Sequence, residues 1–196
     1  MLDRLLVILA NLLWFLATVP EALRFRLALR HPGRVQRRLL RRLLRRNANC
    51  AIGQRLGFAR NGFQSLPPLE YEDLQPDLDA IRRGAENLLT GERIRLLEPT
   101  GGTTGGTKLI PYTDGLRREY ARAVAPWLNR LYRRHPGLFR GRQYWCITPA
   151  TVPESLPGGP PVGFAEDAEY LGGLHAALAR RLLVAQIGRA SCRERV

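Results

Sequence analysis

The pattern of apolar and polar positions predicts a chain that begins with helices. The run from Leu2 to Val19 is strongly apolar, and Pro20 is expected to end it, because proline disrupts a helix interior. The run is slightly short for the roughly 20 residues that cross a bilayer, so a buried N-terminal helix is favoured. A marginal membrane span, an interfacial helix and a signal peptide stay open as alternatives. Glu21 to Leu29 predicts a second helix, and the sequence His31-Pro32-Gly33 predicts a break after it.

The stretch from Arg34 to Arg46 has the clearest helical periodicity in the chain. At 100° per residue, the leucines fall on one face and the arginines on the other. The leucines are Leu39, Leu40, Leu43 and Leu44, and the arginines are Arg37, Arg38, Arg41, Arg42, Arg45 and Arg46. Such a helix suits an anionic membrane surface, nucleic acid or plain solvation. Because no aromatic residues interleave with the arginines, no specific nucleic-acid partner is expected, whereas residues 2–46 allow a peripheral membrane contact.

The remaining patterns predict alternating helices and short strands. Helices are expected over Asn47–Gly57, after Tyr71, over Asp114–Arg134 and over Gly173–Val184, and extended segments over Ile94–Leu97, Lys108–Tyr112 and Gln143–Thr148. Asp114 can cap its helix, and plain core packing is the favoured interpretation of that helix's apolar stripe, which comprises Tyr120, Val124, Trp127, Leu128 and Leu131. The Gln143–Thr148 segment is expected to be a buried strand. The sequence therefore predicts an α/β, helix-rich fold whose short strands flank a glycine-rich loop.

That loop is the chemical signature of the chain. It comprises Thr100, Gly101, Gly102, Thr103, Thr104, Gly105, Gly106 and Thr107, and it ends at Lys108, the only lysine in the sequence. Glycine permits turns in which successive backbone N–H groups form an anion-binding concavity, and a lysine adds a point charge for phosphate. The loop is not a Walker A motif, because Thr107 precedes the lysine and Leu109 follows it.

The amino-acid composition indicates which cofactors and which cellular compartment to expect. The chain has 196 residues, a formal net charge of +14 and three cysteines. The histidines, cysteines and carboxylates show no ligand or catalytic spacing, so no metal site is expected, and the cysteine usage favours a reducing cytoplasm. Residues 187–196 match the in-frame translation of a sequencing adapter, and we expect them to be an artefact and the natural chain to continue past Gln186.

The loop and the segments around it resemble one family. Thr100–Lys108 followed by Leu109-Ile110-Pro111-Tyr112 is similar to the phosphate-binding motif of adenylate-forming enzymes, and more narrowly to the bacterial branch of the GH-three (auxin-responsive promoter) family of acyl-acid amido synthetases. Family-like segments occur in family order from about Asn47 to Leu171. They include Asn49–Gly53, Pro68–Pro76, Gly84–Leu89 and Pro161–Phe164.

The resemblance implies an ATP- and Mg²⁺-dependent ligase. Such an enzyme converts a carboxylic acid to an acyl-adenylate, and an amine, usually an amino acid, then displaces AMP. By that resemblance Lys108 is the catalytic residue, and Thr100 to Thr107 bind the ATP phosphates. Residues 1–186 would be the incomplete N-terminal part of the large domain (helical over 1–60, loop-bearing over 61–186), without the C-terminal lid and without adenylating activity alone.

Two alternatives stay open at this point. One is a ligase that passes the acyl group to a thiol such as coenzyme A. The other is a non-enzymatic, basic module that binds a membrane surface. The expected location is the cytoplasm, with or without membrane association.

Overall fold

The computed structural model describes residues 2–60, 63–100, 108–144, 157–164 and 173–182. Its α-helices are α1 (Leu2–Ala28), α2 (Pro32–Arg46), α3 (Ala51–Leu56), α4 (Gln75–Arg82), α5 (Asp114–Arg134) and α6 (Gly173–Leu182). Short 3-10 helices span Phe63–Ser65, Glu72–Leu74 and Pro136–Arg140. Strands β1 (Ile94–Pro99) and β2 (Leu109–Thr113) form an antiparallel two-stranded sheet. The predicted helix-rich architecture with strands flanking the loop is confirmed.

The chain divides into two compact units. The first takes its described residues from Met1–Arg30, Leu116–Thr151 and Phe164–Val196, and the second from His31–Gly115 and Val152–Gly163. The first unit is helical, and the second carries both strands. The expected division of the chain at residue 60 stays a prediction.

Helix α1 overturns one expectation from the sequence. It continues through Pro20 to Ala28, so the two predicted helices, up to Val19 and from Glu21, are one. Burial on both sides of the proline accounts for this, because Thr18 and Ala22 are both buried and tertiary packing overrides local preference. Among the described helices, only α1 is long and apolar enough to cross a membrane by length and composition.

Only one face of α1 is buried. Val7, Ala10 and Trp14 pack with residues of α5 and α6 in the core of the first unit. Leucines on its other faces, such as Leu5 and Leu9, are exposed. The expectation of a buried helix therefore holds for one face of α1, and the other face presents apolar side chains.

A buried polar network joins α1 to α5 around Asn11. The Asn11 side-chain nitrogen lies within 3.0–3.2 Å of three backbone carbonyls, those of Val7, Phe139 and Gly141. Its side-chain oxygen accepts hydrogen bonds from Tyr132 at 2.6 Å and from Gln143 at 3.1 Å. Burial raises the pKa of Tyr132 to about 12, against the opposing effect of the Gln143 hydrogen bond. The network therefore consists of neutral groups with satisfied hydrogen bonds.

Helix α5 corrects a second expectation. It spans Asp114–Arg134 as predicted, and Leu128 is buried, but Trp127 is 56% exposed. From Leu116 onward, the buried positions of α5 are Ala125, Leu128, Asn129 and Tyr132. Tyr120 and Val124 are partly buried and pack against the core of the first unit, so core packing is confirmed for these two residues and for Leu128. The exposed Trp127 is the departure from the predicted stripe, and small or polar residues share the buried face.

The predicted helix over Asn47–Gly57 is shorter than expected. Helix α3 spans Ala51–Leu56, and the left-handed backbone of its C-cap residue Gly57 (φ 70°) suits glycine. Its first N–H groups, at Ala51 and Ile52, donate to the carbonyls of Asn87 and Leu88. The N-cap residue Cys50 makes no side-chain capping bond. The backbone carbonyls of a distant segment therefore cap this helix.

The last predicted elements are only partly described. Helix α6 begins at Gly173 as expected and is described to Leu182. Of the segment predicted as a buried strand, Gln143–Thr148, the first two residues are described; they belong to neither strand of the sheet, and Tyr144 is 61% exposed. Residues 145–148 lie outside the described residues.

Candidate functional site

The two strands of the second unit form a hairpin that leads into and out of the glycine-rich loop. Ile94 is paired with Thr113, Leu97 with Pro111 and Pro99 with Leu109, and the pairing is irregular between Ile94 and Leu96. Leu97 is fully buried, which explains why this apolar segment forms a strand in the interior of the unit. The hairpin therefore sets where the loop begins and ends.

Thr100 and Lys108 close the neck of the loop. The Thr100 N–H donates to the Lys108 carbonyl at 2.8 Å, and the Thr100 hydroxyl lies 3.3 Å from the same oxygen. The two ends of the predicted phosphate-binding loop are thus held together by the backbone. The seven predicted ligands between them, Gly101 to Thr107, lie outside the described residues, and their roles stay predictions.

Tyr71 supports the lysine side of this neck. Its hydroxyl accepts a hydrogen bond from the Leu109 N–H at 2.8 Å. The Lys108 ammonium lies 5.0 Å from the centre of the same aromatic ring, within the range of a cation–π interaction. Lys108 is exposed and makes no ion pair with any described residue. The arrangement leaves the ammonium group available to an anion.

Glu92 ties the far end of the hairpin to two helices. Its carboxylate accepts hydrogen bonds from the Thr113 hydroxyl at 2.6 Å and from the Gly115 N–H at 3.1 Å, and it pairs with Arg46 at the end of α2. A carboxylate at the N-terminus of α5 also suits the helix dipole. A Cβ atom on Gly115 would lie 2.1 Å from a Glu92 carboxylate oxygen, so a larger residue there would require the Glu92 side chain to move.

A second ion pair lies beside the first. Arg95 of β1 donates from two nitrogens to one oxygen of Asp114, at 2.9 and 2.7 Å. Asp114 was predicted to cap α5, and it is the first residue of that helix. At the same helix end, the Gly115 N–H donates a hydrogen bond to the Glu92 carboxylate. Charged side chains thus hold the start of α5 against the hairpin.

The other edge of β1 contacts a further family-like segment. Leu97 donates its N–H to Pro161 at 2.9 Å and accepts the Gly163 N–H at 2.8 Å, and it forms a parallel bridge with Val162. Segments that are distant in sequence, around residues 71, 97, 108 and 162, therefore converge on one hairpin.

No metal centre is found among the described residues, where no group of three or more histidine, cysteine or acidic side chains is placed to hold an ion. The described residues that could meet an anion are the exposed Lys108 side chain and the closed neck at Thr100.

Sequence reasoning missed the roles of Tyr71 and Glu92. Tyr71 belonged to a family-like segment, but nothing in the local pattern indicated that it reaches Leu109, 38 residues away. Glu92 had no local signal at all, because its partners lie in three separate elements.

Comparison with known proteins identifies the family to which the chain belongs. The model of the GH3 family N-terminal domain matches residues 22–186. The chain therefore belongs to the GH3 family, and the hairpin with its glycine-rich loop lies within the matched range.

Individual relatives agree with this assignment. The chain is 30% identical over 143 residues to a probable indole-3-acetic acid-amido synthetase, GH3.4, from Oryza sativa subsp. japonica. The match covers 67% of this chain and 23% of the rice protein. The chain thus spans less than a quarter of the length of this relative.

Two solved structures share the fold. A GH3.15 acyl acid amido synthetase matches with a TM-score of 0.60 and 24% identity, over 68% of this chain and 25% of that protein. A structure described as AtGH3.15 acyl acid amido synthetase in complex with 2,4-DB matches with a TM-score of 0.63 and 24% identity, over 77% and 27%. The chain therefore shares its fold with about a quarter of each of these two acyl acid amido synthetases.

Proposed function

We propose that the whole protein to which this chain belongs is an ATP-dependent ligase, which activates a carboxylic acid as an acyl-adenylate and conjugates it to an amine or amino acid. The observation that carries the proposal is the hairpin neck, where the Thr100 N–H donates to the Lys108 carbonyl beside the exposed lysine side chain. The names of the rice relative and of the GH3.15 enzymes favour an amine acceptor over a thiol.

The described residues at the neck of the hairpin each have a role in this proposal. ATP, bound with Mg²⁺, supplies the adenylyl group that activates the acid. Lys108 offsets the negative charge that accumulates on the departing pyrophosphate, and a preorganised charge of this kind lowers the barrier. Thr100 holds the loop closed, and Tyr71 holds the strand that follows the lysine. The predicted ligands Gly101 to Thr107 would surround the phosphates with backbone N–H groups.

The test is the Lys108→Ala variant of the whole protein. Carboxylate-dependent exchange between pyrophosphate and ATP should fall by about 10²–10³-fold, as when one preorganised charge-stabilising donor is removed elsewhere. Indole-3-acetate and 2,4-DB serve as probe acids, because the relatives' descriptions name them. The Arg60→Ala variant is the matched control, since Arg60 is an exposed cation of the same unit without an ion pair among the described residues.

Direct binding of Mg·ATP, followed by calorimetry, gives a second measurement that does not depend on the choice of acid. Lys108→Ala should weaken it, and Arg60→Ala should not. Equal exchange and equal binding in the wild type and in Lys108→Ala would contradict the proposal. The cytoplasmic location and the bacterial origin stay predictions.

A further inference from the structure

Helix α2 presents an unusual surface. None of its residues, from Pro32 to Arg46, is buried. Val35, Leu39 and Leu43 are 43%, 48% and 37% exposed, and their spacing of four residues places them in one stripe along the helix. A helix whose apolar stripe is exposed in this way has an apolar face available for a partner.

All but one of the arginines of α2 lack an ion-pair partner among the described residues. Six of them line a groove of about 500 Å³, namely Arg34, Arg37, Arg38, Arg41, Arg42 and Arg45. Within the described part of the chain, none of these six makes an ion pair, whereas Arg46 is paired with Glu92. The helix contains no acidic residue. Six like charges on four turns repel one another, so an external anionic surface would stabilise them.

The apolar stripe and the basic face are adjacent. At 100° per residue, Arg38 and Arg42 lie on the flank of the stripe that Val35, Leu39 and Leu43 form. Long arginine side chains in such a position can lay their methylene groups along apolar surface and keep the guanidinium groups outside. This is the arrangement of helices that lie in a lipid–water interface.

The second unit holds α2 by its C-terminal end. Arg46 is paired with Glu92, and the Asn47 side chain accepts hydrogen bonds from the Thr90 hydroxyl at 3.0 Å and the Gly91 N–H at 3.2 Å. Contacts at the end of the helix leave the middle of it exposed.

We propose that α2 docks on an anionic lipid surface, with the Val35–Leu39–Leu43 stripe in the interface and the six arginines on the headgroup phosphates. Charge complementarity and the adjacent stripe both favour lipid. Nucleic acid would leave the stripe in water, and α2 offers no aromatic side chain on which bases stack. This inference is independent of the proposed ligase activity.

Vesicle co-sedimentation of the whole protein tests the charge. Vesicles of phosphatidylcholine alone are compared with vesicles that also contain phosphatidylglycerol, and binding is expected to the second only. The triple variant Arg38→Gln, Arg41→Gln, Arg42→Gln should bind about 100-fold more weakly, at about 1 kcal/mol for each arginine. Arg130→Gln, Arg133→Gln, Arg134→Gln is the matched control, because it removes the same charge from exposed positions on α5 and should bind nearly as the wild type does.

A second pair of variants tests the apolar stripe. Leu39→Ser with Leu43→Ser should weaken binding, while Leu23→Ser with Leu27→Ser, which are 52% and 60% exposed on α1, should not. Circular dichroism confirms that both variants keep their helices. Loss of binding in the α1 pair with normal binding in the α2 pair would assign the membrane contact to α1 and overturn the proposal.

Three further outcomes would overturn the proposal. One is equal weakening by the α2 and α5 arginine variants, which would indicate an unspecific charge effect. The second is binding to duplex DNA without binding to the anionic vesicles. The third is failure of the wild-type protein to bind these vesicles at low salt, where screening is weakest.

Discussion

The two units use polar side chains in opposite ways. In the first unit, Asn11, Tyr132 and Gln143 are neutral, and the first two are buried behind helices. In the second unit, ion pairs between partly exposed side chains hold the end of the hairpin that is remote from the loop, namely Arg46 with Glu92 and Arg95 with Asp114. The Glu92 side chain is 17% exposed and its partner Arg46 is 35% exposed.

Buried neutral hydrogen bonds and exposed ion pairs have different effects on stability. A buried neutral network is costly to leave unsatisfied, so it specifies one packing of the helices. A partly exposed ion pair contributes less and is weakened by salt. We infer that the packing of the first unit is insensitive to salt, whereas the end of the hairpin next to α5 responds to charge and salt.

The largest expected effect comes from Asn11→Leu. The change removes the acceptor of Tyr132 and Gln143 and the donor to the carbonyls of Phe139 and Gly141, each at a cost of about 1–3 kcal/mol. Urea denaturation should show a loss of at least about 3 kcal/mol. Leu12→Ala, at a 42% exposed position of the same helix, is the control and should change stability by less than about 1 kcal/mol. Similar losses in the two variants would mean that the network does not hold the packing.

An intermediate effect is expected from Glu92→Ala. It leaves Arg46, Thr113 and the Gly115 N–H without their carboxylate partner, at about 2 kcal/mol. Glu92→Gln keeps an acceptor oxygen and should lose about 1 kcal/mol. The measurement is urea denaturation at low and at high salt. The difference between the wild type and Glu92→Gln should shrink as salt screens the pair, and a difference that does not change with salt would argue against the ionic role.

The smallest effect is expected from Tyr71→Phe. The ring stays beside the Lys108 ammonium, and only the hydrogen bond from the Leu109 N–H is lost, at about 1 kcal/mol. In the whole protein, the KM for ATP should rise a few-fold in the exchange assay. Tyr71→Leu also removes the ring and should raise the KM further. Unchanged KM in both variants, with exchange still lost in Lys108→Ala, would show that Tyr71 does not position the lysine.

The sequence alone determined the elements whose signals are local. The spacing of leucines and arginines predicted α2, and Ile94–Leu97 and Lys108–Tyr112 were predicted as the strands on either side of the loop. The glycine-rich motif and its neighbours also identified the GH3 family, which the family match confirms. These predictions succeed because periodicity and turn chemistry act over a few residues.

Only the tertiary structure decided which side chains meet. It carries α1 through Pro20, leaves Trp127 exposed, brings Tyr71 to Leu109 and joins Glu92 to Arg46. Each of these outcomes depends on partners that are remote along the chain, and a local pattern contains no information about them. The same reason applies to α2. Its amphipathic pattern was visible in the sequence. The absence of buried residues from this helix depends on where the rest of the second unit packs, which the local pattern does not contain.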